Sequence, residues 1–205
     1  MKTETKTENG NGRDLQFETM KEVSPRVNSK IAEQIRDLKL EEGLERFMLG
    51  CVEKRKSGIA RSTLSYLVYR NLGGDQELDE VLPALAISEL SNFHCYLDNW
   101  ILDNKNNINS DTDKVKRAVV GSAIFRELMQ KSIEDIDTST EVKRRISNSV
   151  LEATIQSYNG QAVDLNNSYE DLEKFGTEED FMRFYVNKSR LLSGKLYGVS
   201  TEIGA

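Results

Sequence analysis

Proline occurs at only two positions in this chain, Pro25 and Pro83. In a helix interior proline costs about 3 kcal/mol, because it removes an amide donor and its ring collides with the preceding turn. A chain so free of it can run helix after helix. The 13 glycines fall mostly outside the periodic apolar runs, so the other common helix breaker is also kept to boundaries. These features predict an all-α fold.

The apolar periodicity agrees. Residues 1–14, MKTETKTENGNGRD, offer nothing to bury and predict a disordered tail, here taken as residues 1–20, before one helical domain over 21–205. From Ser29 onward Ile31, Ile35, Leu38, Leu44, Phe47 and Leu49 recur at helical spacing, with a drift around Glu41–Gly43. Ser57-Gly58 punctuates. Leu64, Leu67, Val68 and Leu72 form the next stripe, which Gly73-Gly74 closes as a C-cap. Asp75 to Glu80 is a polar connector, and Pro83 stands near the start of a long helix, where proline costs least. That helix carries Leu85, Ala86, Leu90, Phe93, Leu97, Ile101 and Leu102, and is expected to be buried on most sides. Residues 104–113 are a polar loop before a helix at about 114–134. Thr138 to Thr140 offer N-caps for a helix to about Tyr158. After a second polar connection at 166–176, Thr177 and Asp180 resemble a capping box for a last helix towards Tyr197. The pattern gives six or seven helices, no strand and no fixed-period repeat.

Composition removes several functions. With 28 basic and 34 acidic residues the net charge is −6, which disfavours nucleic acid and anionic membranes as partners. Cys51 and Cys95 have no CxxC spacing, and the single histidine, His94, cannot build a multi-histidine metal site. No apolar run approaches the ~20 residues of a membrane span, and the N-terminus carries no apolar signal segment. A cytoplasmic location is the expectation.

Three stretches then stand in a telling order. The first is Leu72-Gly-Gly-Asp-Gln, followed by Leu82-Pro-Ala-Leu-Ala-Ile-Ser-Glu-Leu90 and Asp98-Asn-Trp-Ile-Leu-Asp103. The second is Gly160-Gln-Ala-Val-Asp-Leu165, and the third is Lys188-Ser189, with Ile203-Gly-Ala205 beyond it. In this order the chain resembles the trans-prenyltransferase (polyprenyl synthetase) family over about residues 30–205. The resemblance implies an isoprenoid synthase-like helical bundle. It further implies Mg²⁺ held by two aspartate-rich helices, which neutralises the pyrophosphate leaving an allylic diphosphate. Lysine and arginine hold the second diphosphate. The family's second aspartate-rich motif lies beyond the point reached by these 205 residues, so C-terminal helices are expected to be lacking.

Residue by residue the resemblance gives a site with departures. Aligned from Glu89-Leu90, the DDxxD motif falls on Asn99, Trp100, Ile101, Leu102 and Asp103. Asp103 is in register and Asp98 is one residue early. Asn99 and Asp103 share a helix face, while Asp98 points about 100° away from Asn99. The metal candidates are therefore Asp103, Asp98 and Asn99, with Asp164 from the second stretch. One carboxylate plus one amide is a poor beginning for an ion that wants octahedral oxygen ligands. The family's basic segment should lie at Gly58-Ile-Ala-Arg-Ser-Thr63, where Ile59 and Ser62 replace its Lys and Arg and Arg61 partly substitutes, with Lys54, Arg55 and Lys56 upstream. The diphosphate candidates are Lys188, Arg61 and Gln161.

Plainer roles stand beside these. Lys188 on an amphipathic helix can simply snorkel, and Gln161 and Asp164 can be polar helix residues near a break. Trp100 suits a filled core or interface better than an open cavity. His94 suits a satisfied buried histidine, and Cys51 and Cys95 small buried hydrophobes. Glu178-Glu179-Asp180 suits a helix N-terminus.

Three functions follow. The chain is a non-catalytic or partner subunit, or the N-terminal part of a synthase, associating with itself or with a complete prenyl synthase. Alternatively it is an active Mg²⁺-dependent prenyltransferase, condensing isopentenyl diphosphate with an allylic diphosphate, completed by a longer chain or a second subunit. Third, it is an all-α interaction module without an isoprenoid role, for which Lys188→Ala would leave every behaviour intact.

Overall fold

The computed structural model describes residues 9–54, 60–165 and 175–205. Among them are eight α-helices: α1 (Asn9–Asp37), α2 (Glu42–Lys54), α3 (Ala60–Asn71), α4 (Leu78–Leu102), α5 (Thr112–Glu134), α6 (Thr140–Leu165), α7 (Glu178–Ser189) and α8 (Lys195–Gly204). A 3-10 turn, Lys105–Ser110, links α4 to α5, and a π-turn, Arg190–Gly194, joins α7 to α8. No described residue is in a strand. Ser57-Gly58 lies outside the described residues.

The long apolar helix is central, as its all-round hydrophobicity predicts. Leu85, Ile87, Leu90, Phe93 and Leu97 of α4 are all buried. One side receives α1, whose Val23, Val27, Ile31 and Ile35 recur every four residues and are fully inaccessible. Another side receives α5. There Phe93 and Phe125 stack with centroids 5.0 Å apart, and Gly121 lets α5 approach Leu97 and Phe47. Helices α3, α6 and α8 close the bundle.

Several boundaries differ from the sequence expectation, each for a local reason. Residues 9–20, assigned to the tail, form the first turns of α1; the arginine, leucine, glutamine, glutamate and methionine among them are good helix formers. The drift near Glu41 is a true break between α1 and α2, where Lys39 takes a positive φ of 50° and the Glu41 carboxylate accepts from the amides of Gly43 and Leu44, both at 2.9 Å. Helix α4 starts at Leu78 inside the expected connector, because the Glu80 carboxylate accepts from the Glu77 amide at 3.1 Å. Pro83 consequently sits in the second turn. The 104–113 loop is ordered by Asn104, whose side chain accepts from the Asn109 amide at 2.9 Å, and anchored by buried Ile108.

Two caps match expectation. Gly73, at φ +91°, donates to Arg70 O while Gly74 donates to Tyr69 O, the paired bonds of a Schellman C-cap. Thr177 Oγ1 accepts from the Asp180 amide at 3.1 Å and opens α7.

Candidate functional site

The second stretch is not a helix break: Gly160 lies inside α6, which runs on to Leu165. Its missing side chain matters for packing. A Cβ there would stand 2.8 Å from Leu191 Cβ and 2.9 Å from Leu192 N. The π-turn carrying both leucines therefore presses directly on α6, and Ser157 Oγ donates to Leu192 O at 3.2 Å. Helix α6 also contacts both α4 and α7.

Most of the sequence-nominated residues meet along these contacts, in separate pairs. Gln161, only 3% exposed, donates through Nε2 to Asp103 Oδ1 at 2.6 Å. The second Asp103 oxygen takes the Lys105 ammonium at 2.7 Å. The Lys188 ammonium lies 2.6 Å from Asp164 Oδ1 and faces the Tyr185 ring at 5.9 Å. Asn99 is half-buried. Trp100 fills rather than lines: it stacks nearly parallel on Phe47 of α2, centroids 6.4 Å apart, against the core.

Asp98 belongs to a network that the sequence did not announce. The Tyr158 hydroxyl of α6 donates to Asp98 Oδ2 and lies 3.3 Å from His94 Nε2. His94, 2% exposed, has Nδ1 3.1 Å from Ser122 Oγ on α5 and 3.5 Å from Asp98 Oδ2. Burial holds the His94 pKa below its ordinary value, against the opposing pull of Asp98. Burial, reinforced by the hydrogen bond to Asp98 and that carboxylate's charge, raises the Tyr158 hydroxyl far above its ordinary range. Neighbouring Cys95 is pushed up to about 11, chiefly by burial. A thiol so placed is a small hydrophobe at neutral pH, as expected. The i,i+4 spacing of His94 and Asp98 was the available signal; Tyr158 and Ser122 arrive from distant sequence and had none.

Arg61 stands at the start of α3, its guanidinium 4.6 Å from the Tyr197 ring centroid on α8. Its charge is felt at Cys95, one turn before Asp98-Asn99. The same α3 terminus already holds an internal acceptor. Glu89, buried in α4, accepts from the Ser62 amide at 2.9 Å. Ile59 and the basic residues Arg55 and Lys56 lie outside the described residues.

A magnesium ion does not fit this arrangement. Asp103 has a donor on each oxygen, Asp98 takes the Tyr158 hydroxyl, and Asp164 takes Lys188. Among the described residues no three His, Cys, Asp or Glu side chains are grouped to hold a metal ion.

Among solved structures the chain is similar to a geranylgeranyl pyrophosphate synthetase from the archaeon Geoglobus acetivorans, with a TM-score of 0.73 at 21% identity. The fold is that of an isoprenoid synthase. The match covers 93% of this chain and 60% of the other, so the chain spans less than two thirds of that synthetase's length. No protein-family model matches, and neither does any curated protein. No described helix is long and apolar enough to cross a membrane.

Proposed function

We propose that the chain is a polyprenyl synthetase-like protein of isoprenoid biosynthesis with no turnover of its own, acting as a non-catalytic or partner subunit or as the N-terminal part of a synthase. One observation carries this. Asp103, the carboxylate that falls in register with the first aspartate-rich motif, is closed on both oxygens by Gln161 and Lys105. The Lys105 ammonium beside Asp103 occupies the place where a cation would sit against that oxygen, and Gln161 holds the other oxygen within the fold. The Asp164–Lys188 pair supports the same reading, since the lysine that would meet a diphosphate is already neutralised.

A second reading, an active prenyltransferase completed by a longer chain or a second subunit, is favoured by one fact. Asp103 at the end of α4 and Lys188 of α7 are both paired to α6, on Gln161 and Asp164, which stand three residues apart on that helix. The missing acidic ligands would then come from outside these 205 residues, together with the Mg²⁺.

A thermal shift with isopentenyl and geranyl diphosphate, with and without Mg²⁺, run on the chain alone and mixed with a complete prenyl synthase, separates them. A ligand bound only by the folded state at 100 times its dissociation constant adds about 2.7 kcal/mol of stability. The expected result is no Mg²⁺-dependent shift of the chain and no incorporation of labelled isopentenyl diphosphate beyond the synthase's own. A Mg²⁺-dependent shift abolished by Asp103→Ala would overturn the non-catalytic reading.

A further inference from the structure

The start of α6 reads Lys143-Arg144-Arg145-Ile146-Ser147. Three cations in a row occur nowhere else among the described residues, in a chain whose net charge is −6. Arg144 and Arg145 are exposed and stand three and two residues before a serine. The hydroxyl of that serine is open. Ser147 is half-buried, and its Oγ has no hydrogen-bond partner among the described residues. Nor is it sealed from solvent, as the Oγ1 of Thr154 is further along the same helix. The cations beside it are loosely engaged. Arg144 meets the exposed Glu141 carboxylate at 2.9 Å, and Lys143 donates to the Glu134 carbonyl at the end of α5. Exposed contacts of this kind are weak. Arg145 has no ion pair among the described residues.

Little holds this segment in place. From Thr140 to Ser149 no residue is buried; the first that is, Val150, comes after Ser147. Among these residues only Ile146 packs against the core. A helix end with so little buried surface opens at low free-energy cost. Opened, it presents the serine with both arginines upstream on an extended chain. A protein kinase with an acidic substrate groove selects that arrangement by charge. The re-formed helix also suits the product. Residues three and four positions back share the face of Ser147, so Arg144 and Lys143 flank a phosphate there and give it charge-assisted hydrogen bonds. Exposed Leu151 stands one turn further on the same face. An apolar partner laid over it would have to bury a group carrying about −1.5 to −2 charges, which is costly.

We propose that Ser147 is a phosphoryl-acceptor site for a protein serine kinase that selects arginine upstream and uses ATP. Its Oγ attacks the γ-phosphorus and forms the new O–P bond. The bond from that phosphorus to the β–γ bridging oxygen breaks, ADP leaves, and the hydroxyl proton passes to the kinase's base. The test incubates the folded full chain with the catalytic subunit of a cyclic-AMP-dependent protein kinase, ATP and Mg²⁺, and maps the phosphate by tandem mass spectrometry. The phosphate should appear on Ser147. Ser147→Ala should lose it and Ser149→Ala should keep it. Arg144→Gln combined with Arg145→Gln should slow incorporation by about tenfold or more and leave the helical circular dichroism unchanged. Ser57, which follows Lys54-Arg55-Lys56, is the competing acceptor and lies outside the described residues; Ser57→Ala should keep the Ser147 phosphate. The proposal is overturned if the folded chain takes no phosphate, if it takes phosphate only at Ser57 or another residue, if Ser147 reacts only after unfolding in urea, or if the double arginine variant reacts as fast as the parent.

Discussion

Asp103 takes a side-chain amide on one oxygen and an ammonium on the other, and only the amide bond is well buried. The two partners therefore predict different costs. Removing the carboxylate leaves the buried Gln161 amide without its acceptor, a loss of about 1–3 kcal/mol, whereas the half-exposed Lys105 pair is worth under about 1 kcal/mol. Urea unfolding of Asp103→Ala should show the larger loss and that of Lys105→Ala the smaller. Equal small effects would mean that Gln161 finds another acceptor. His94 gives a second test at this scale. Its folded pKa lies below the ordinary 6.5 because burial disfavours the cation. Below that pH the unfolded chain binds more protons than the folded one, so stability falls as pH drops from 6.5 towards the folded pKa. Glu41 and Asp111, whose carboxyls are held low first by a backbone hydrogen bond from Gly43 and by the Lys114 side chain respectively, act only at more acid pH. Between pH 7 and 5 the urea midpoint of the parent should therefore fall, and that of His94→Gln should fall less. Identical slopes would exclude His94 as the source.

At the scale of elements, glycine decides where helices can meet. Gly160 admits the π-turn against α6, and Gly204 brings α8 against α3, where a Cβ would stand 2.9 Å from Val68 Cβ and closer still to the Ser65 carbonyl. Overpacking of this kind costs typically 1–3 kcal/mol. Gly160→Ala and Gly204→Ala should each lower the urea midpoint by that order, while Gly198→Ala, with nothing within 4 Å of its Cβ, should leave it unchanged or raise it. The sequence made the core of α4 legible, because Leu85, Ile87, Leu90, Phe93 and Leu97 spread apolar side chains around the helix, and the Gly73-Gly74 cap, because positive φ favours glycine. It did not make the start of α1 legible, since a polar run with little apolar periodicity reads as a tail. Nor did it show the π-turn, which comes from contact with α6 rather than from local composition. For the site, resemblance nominated Asp103, Gln161, Asp164 and Lys188 one by one, but their pairing as Gln161 with Asp103 and Lys188 with Asp164 was invisible. Lys105 sat in an expected loop, and Tyr158 looked like one more aromatic on a helix.

For the whole molecule, the question is what lies on the faces this bundle leaves open. Helix α6 carries Leu151, Ile155, Tyr158, Ala162 and Leu165 on its exposed side, at alternating spacings of four and three. That is the repeat of a helix-packing seam rather than of scattered surface residues. Helix α7 adds exposed Met182, Tyr185 and Val186. Covering a leucine or isoleucine fully contributes about 1.5–3 kcal/mol, so a partner along α6 would gain several such increments. A second copy of the chain satisfies this without any other component, and an exchange of like for like suits a two-fold contact. Sedimentation equilibrium should then give about twice the 23.3 kDa chain mass, with a melting temperature that rises with protein concentration. The double variant Leu151→Glu, Ile155→Lys alters only side chains that are more than half exposed. It should return the single-chain mass while keeping its helical circular dichroism. A parent chain that stays at the single mass across the micromolar range would instead assign the seam to a different protein, with a complete prenyl synthase the first to be mixed with it.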